Sequence, residues 1–151
     1  MRLSLDRYLG YFLAGLMALI TVDVLWGVFT RYALGNQAGW TEELARFLLI
    51  WIGLLGTAWA SGQRMHLSIT LLPDKLEGKA RRRLLLFIDS LVVLFALSVM
   101  IIGGGHLVWL TYELGQTSAA LKLPMGLIYS VIPISGVLIV FYKLNDLNTQ
   151  L

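Results

Sequence analysis

The chain has 151 residues, of which 58% are hydrophobic and only 14% charged, and its mean hydropathy is +0.75. That balance is too apolar for a soluble domain of this size and leaves room for about four spans of roughly 20 residues with short connections. The net charge of +3 does not indicate a nucleic-acid partner, because the basic residues flank apolar runs instead of forming a stripe with aromatic platforms. The lack of cysteine excludes disulfides, thiolate chemistry and cysteine metal sites.

The chain opens with a basic start and an apolar run of about 20 residues, too long for the apolar core of a signal peptide and followed by no small-x-small cleavage pattern. An uncleaved first span over about 9–30 is expected. Gly10, Ala14 and Ala18 recur at four-residue spacing, which predicts close approach by another helix. Asp23 lies about 12 Å of helix rise from Arg31, inside the hydrocarbon. An acid there is either a proton or ion carrier or a hydrogen-bonded residue that holds helices together.

A second span is expected over about 44–61. Thr41 can cap its first turn, and Glu42 and Glu43 sit where the helix dipole favours acids. At about 100° per residue, Glu42, Arg46, Gly53 and Ala60 share one face, which predicts a small, polar face packed inside a bundle, with Trp51 and Trp59 on the opposite side against a partner or lipid. The spacing allows Arg46 to serve both carboxylates, and Arg31 could join them if the first two helices are antiparallel neighbours. The plain reading is an exposed ion pair of little energetic weight. The functional reading is a network that fixes the first two helices and presents a polar edge to another subunit. No nucleophile, histidine or metal-ligand set accompanies the acids, so catalysis is not expected.

The segment after the second span contains HLSITLL, too short to cross a membrane and expected as a short interfacial helix before Pro73. Arg81, Arg82 and Arg83 then form a basic run that could bind anionic lipid headgroups or act only as a topology determinant. A third span is expected over about 84–107, with Asp89 paired to that basic run and Gly103–Gly105 marking a helix end. His66 and His106 fall at opposite ends of spans, about 30 Å apart, and cannot be two axial ligands of one haem; no cofactor is expected. A polar connection over 109–124 leads to a fourth span over about 126–142, where Pro133 should kink the helix or occupy its first turns.

Lysine and arginine set the expected orientation. With four spans, Arg2, Arg7, Arg64, Lys75, Lys79, Arg81, Arg82, Arg83 and Lys143 fall on one side, and Arg31, Arg46 and Lys122 on the other. This asymmetry predicts cytoplasmic termini and a cytoplasmic central loop. Tyr8, Tyr11 and Tyr142 would form the inner aromatic belt, and Tyr32, Trp40, Trp109 and Tyr112 the outer one. The expected fold is therefore an all-α integral membrane protein, one four-helix domain over 1–151.

Arg31-Tyr32, the run Trp40-Thr41-Glu42-Glu43-Leu44-Ala45-Arg46, Trp51, Gly56 and His66 resemble the small membrane subunit (DctQ type) of TRAP transporters, the tripartite ATP-independent periplasmic transporters of bacteria and archaea. Gly115–Pro124 and Ile132-Pro133-Ile134-Ser135-Gly136 are also similar to that family. Thr70 stands where the family often has an aspartate, and Ala119 where it often has a proline. The resemblance implies residence in a bacterial inner membrane and two protein partners. One is a large, sodium-coupled permease subunit that moves like an elevator; the other is a periplasmic binding protein that captures an organic acid. It further implies that the small subunit is non-catalytic and stabilises the large one, with Arg31, Tyr32, Trp40, Glu42, Glu43, Arg46, Trp51, Trp59 and His66 as contacts with a partner. A chain ending at Leu151 without a further span would have that large subunit as a separate chain. The competing reading is an autonomous proton-coupled transporter using Asp23.

Overall fold

A computed structural model describes the backbone of residues 2–36, 38–63 and 78–150. Helix α1 spans Arg2–Ala33, α2 Gly39–Gly62 and α3 Gly78–Phe95; a π-helical segment, Ala96–Gly103, leads into α4, Gly104–Glu113, followed by α5, Met125–Tyr129, and α6, Val131–Gln150. Four stretches are long and apolar enough to cross a membrane: Leu5–Ala33, Gly39–Gly62, Arg83–Glu113 and Met125–Asn145. All four expected spans are present, each longer than its apolar core alone indicated. The expected interfacial segment and His66 lie outside the described residues.

The spans neighbour one another in the order first, second, fourth, third: α1 packs on α2, α2 on α6, and α6 on the π segment and α3. The seam on α1 is formed by Leu9, Leu13, Leu16, Ile20, Asp23, Gly27 and Thr30, all buried or half-buried. Their alternating four- and three-residue steps are the pattern of a helix seam. Of the expected Gly10, Ala14 and Ala18 stripe, only Gly10 approaches another helix, at Trp59; Ala14 and Ala18 are exposed. The side of α1 that faces α2 is thus lined mainly by larger residues, not by the expected small stripe.

Two apolar clusters hold the rows together. One joins Ala58 of α2, Ala96 and Met100 of the π segment and Ile139 of α6. The other runs from Leu9 through Leu55 to Val131, with Trp51 and Trp59 packed against it. Here the structure reverses an expectation: the tryptophans of α2 turn inward, and the face with Glu42, Arg46 and Gly53 is exposed. Large aromatic surfaces gain more dispersion contact against α1 and α6 than a glycine stripe could offer.

Gly103–Gly105 does not end a helix. The π segment returns to α-helix at Gly104, where a side chain would collide with Ile132, 2.7 Å from its Cγ2. Gly136 permits the matching approach from α6, since a Cβ there would lie 2.8 Å from that of Met100. The helix then continues to Glu113, so much of the expected polar connection is helical. Pro133 occupies the first turn of α6, where its missing N–H costs no helical bond.

One end of the bundle is tied by polar bonds. The indole Nε1 of Trp59 donates to the Asp6 carbonyl at 3.1 Å, and the Tyr142 hydroxyl donates to the Asp6 carboxylate at 2.6 Å. Tyr142 is fully buried instead of joining an aromatic belt. The start of α1, the end of α2 and the latter part of α6 thus share one end. Nearby, Lys143 Nζ donates to Asp89 Oδ1 at 2.8 Å, linking α6 to α3. Asp89 therefore pairs with the fourth span and not with the Arg81–Arg83 run; Arg83 is exposed one and a half turns away. Both charges are buried, where the low dielectric makes a direct partner necessary.

Candidate functional site

The opposite end is organised by Glu43. Its Oε1 accepts the Ala119 N–H at 3.0 Å, and its Oε2 accepts those of Ala120 and Leu121 at 2.8 Å each. These donors come from the tight turn between α4 and α5. Within that turn, Ser118 N–H donates to the Leu123 carbonyl at 2.8 Å, Leu123 N–H donates to Ser118 Oγ at 3.1 Å, and Met125 N–H donates to the Gln116 carbonyl at 2.9 Å. Lys122 adopts a left-handed φ of 51°. The result is a concave row of amides of the kind that binds anions, here filled by a side chain of α2. Charge-assisted bonds of this type are short and directional, so Glu43 latches the α4–α5 turn to the start of α2.

This corrects the expected network. Among the described residues, no ion pair joins Arg46 to Glu42 or Glu43, and none joins Arg31 to either. Glu43 is consumed by backbone amides, while Arg31, Glu42 and Arg46 are all exposed. Thr41 is not the cap of α2. Ala38 holds that position, and the buried Thr41 hydroxyl donates to the Ala38 carbonyl at 2.7 Å. Thr30, buried on α1, accepts the Ala38 N–H at 3.5 Å and so ties the two helices at their turn.

The remaining candidates separate into two sets. Trp51 and Trp59 are half-buried and pack against the Leu9–Leu55–Val131 cluster, as described above. Tyr32 and Trp40 are exposed near the α1–α2 turn, and Trp109 and Tyr112 are exposed on α4 at the same end, consistent with an interfacial belt. Asp23 is buried, and neither carboxylate oxygen has a hydrogen-bond partner among the described residues. It sits in the α1–α2 seam. Of the basic run, Arg81 and Arg82 lie on the backbone of α3, and Arg83 is exposed. Among the described residues, no group of three or more histidine, aspartate or glutamate side chains converges as a metal site would require.

Sequence reasoning missed the Glu43 latch because its partners are 76 to 78 residues away. Helical spacing reports only neighbours three and four residues apart. The run from Gly115 to Pro124 offered one signal, since glycine, serine and proline there mark a tight turn with free amides.

Fold and site together define a small, four-span, all-α membrane protein whose polar groups bind its own helices and turns. The family description "Tripartite ATP-independent periplasmic transporters, DctQ component" matches residues 12–151, and the chain belongs to that family. It is 31% identical over 137 residues to the sialic acid TRAP transporter small permease protein SiaQ of Vibrio cholerae, covering 87% of this chain and 75% of that protein. It is 32% identical over 128 residues to a putative TRAP transporter small permease protein of Haemophilus influenzae, covering 82% and 75% respectively. A third relative, the isethionate TRAP transporter permease protein DctMQ of Oleidesulfovibrio alaskensis, is 30% identical over 152 residues, covering 93% of this chain but 23% of that protein.

Proposed function

We infer that this chain is the small, non-catalytic membrane subunit of a TRAP-type transporter for an organic acid in a bacterial inner membrane. It packs on a large, sodium-coupled DctM-type permease subunit and stabilises its fixed scaffold. The observation that carries this reading is the fused relative, in which a segment similar to nearly all of this chain forms less than a quarter of one permease protein. Fusion keeps two components at high effective concentration, which is useful only if they work in contact. Relatives named for sialic acid, isethionate and ectoine support a substrate that bears an acidic group, while no residue of this chain is assigned to selecting it.

The lysine and arginine asymmetry supports cytoplasmic termini, so the Asp6–Tyr142 end faces inward and the Glu43 latch faces the periplasm. There the latched turn, with Arg31, Tyr32 and Trp40 beside it, offers a rigid surface on which the periplasmic binding protein docks. Arg81–Arg83 meet the lipid headgroups of the inner leaflet. The test is a mild-detergent pull-down of the tagged chain from its native membrane. A stoichiometric, larger, many-span protein is expected; a homodimer without such a partner would overturn the reading.

The unpartnered Asp23 favours a rival reading, an autonomous proton-coupled transporter. That rival requires transport by this chain alone in liposomes, abolished in Asp23→Asn.

A further inference from the structure

We propose that the outward face of α2, marked by Glu42, Arg46, Gly53, Gly56 and Thr57, receives one membrane-spanning helix of the large permease subunit, with an acidic side chain of that helix opposite Arg46. The proposal rests on the reading of this chain as a small permease subunit and adds which face docks and by what chemistry.

The direction of the face follows from what α2 buries. Thr41, Phe47, Leu48, Leu55, Ala58, Ser61 and Gly62 fix the inward side. At about 100° per residue, the five marked residues fall within an arc of roughly 100° on the other side. Among the described residues no element covers that arc: Glu42, Arg46, Gly53 and Thr57 are exposed, and Leu49 between them is 60% exposed.

The charges point to a protein partner. Arg46 stands seven residues beyond Gly39, about 10 Å into the helix, and the membrane-spanning stretch continues past it to Gly62. Of the two acids within helical reach, Glu43, three residues away, is engaged by the Ala119–Leu121 amides, and Glu42, four residues away and exposed, makes no ion pair with Arg46 among the described residues. A guanidinium at that depth is costly unless it reaches water or meets a counter-charge. An acid on an adjoining helix supplies one, and guanidinium binds carboxylate in a planar, bidentate fashion.

The glycines indicate how close the partner comes. At Gly62, Gly104 and Gly136 an added Cβ would fall 2.7 to 2.8 Å from a neighbouring side chain, so packing within the chain explains each of them. At Gly53 and Gly56 an added Cβ would meet nothing within 4 Å. Glycine inside a helix is destabilising relative to alanine, and among the described residues no close packing compensates at these two positions. With Thr57 and Ala60 they form two overlapping small-xxx-small pairs, the pattern that lets two membrane helices bring their backbones together. The Thr57 hydroxyl already donates to the Gly53 carbonyl at 2.7 Å, leaving that part of the face apolar. Gly15 and Gly105 are equally open, but no charged residue lies on their faces. The complementary helix is therefore smooth and apolar beside Gly53–Ala60 and acidic one to two turns nearer the α1–α2 turn.

The test uses the complete chain co-expressed with its cognate large permease subunit. The chain has no cysteine, so Gly53→Cys can carry a photoactivatable cross-linker, with Leu19→Cys on the exposed side of α1 as the control. Cross-linking to one permease helix is expected from position 53 and not from position 19. Arg46→Glu and Gly53→Leu should each reduce co-purified permease at least tenfold, and changing the acid of the cross-linked helix to arginine should restore recovery with Arg46→Glu. Melting of the isolated variants shows whether they fold; should either not, the cross-link from position 53 and the milder Arg46→Gln decide. Wild-type recovery in both variants, or a cross-link to lipid alone from position 53, would overturn the proposal. If the unmodified chain captures no permease, the reading of the whole chain as a small subunit fails instead.

Discussion

The Asp89–Lys143 pair makes a quantitative prediction about what holds the third span to the fourth. The side chains are about nine-tenths buried and meet at 2.8 Å. Replacing Lys143 by methionine leaves an aspartate with no counter-charge in the interior, and Asp89→Leu leaves a stranded ammonium. Removing one member of such a pair costs about 3–5 kcal/mol. For a chain of this length each kcal/mol moves the midpoint by roughly 2–4 °C, which places the single variants about 6–20 °C below the wild type. Replacing both members with apolar residues removes the desolvation penalty as well, so the double variant should lie within about 1 kcal/mol of the wild type or above it. The assay is thermal unfolding of the four proteins in one detergent, followed by tryptophan fluorescence and analysed as a double-mutant cycle. Single variants that each lose under about 1 kcal/mol would show the pair to be solvated and refute the argument.

Three further outcomes test other parts of the structure. Glu43→Gln places an amide donor where three backbone donors converge, so hydrogen exchange at Ala119, Ala120 and Leu121 should accelerate; unchanged protection would remove Glu43 from the latch. Gly62→Ala should destabilise the isolated chain by about 1–3 kcal/mol, since the new methyl would lie 2.7 Å from the Tyr142 ring. Gly53→Ala, facing open space, should stabilise it by up to about 1 kcal/mol, and equal effects at the two sites would contradict the assigned direction of α2. Asp23→Leu removes an unpartnered buried acid and should raise the melting point by the equivalent of about 1–3 kcal/mol; a lower melting point would reveal a partner for Asp23.

The fold was legible because crossing a membrane demands long apolar runs, and composition alone exposes them. Four such runs followed directly, and the first turn of the last helix was one of the two places expected for Pro133. The direction of α2 was not legible. Periodicity shows that Glu42, Arg46 and Gly53 share a face but not which way that face turns, and in a membrane lipid does not enforce polar-out packing as water does. The aromatic interior, with Trp51 and Trp59 against α1 and α6, reversed the expectation drawn from residue size and polarity. Asp89 and Glu43 illustrate the same limit at longer range. Each found a partner more than fifty residues away, whereas local spacing had offered the arginines nearby. Of the residues expected at an interface, Glu43 forms the latch, Trp51 and Trp59 are half-buried, and Arg31, Tyr32, Trp40, Glu42 and Arg46 are exposed.

Reconstitution separates an auxiliary subunit from an autonomous transporter. Proteoliposomes would contain this chain alone, the large permease subunit alone, or both, each with the periplasmic binding protein, a sodium gradient and a labelled organic acid. Sodium-dependent uptake is expected with both subunits and none with this chain alone, undiminished when Asp23→Leu replaces the wild type in the pair. Transport by this chain alone, lost in Asp23→Asn, would contradict that expectation and make the buried aspartate the carrier.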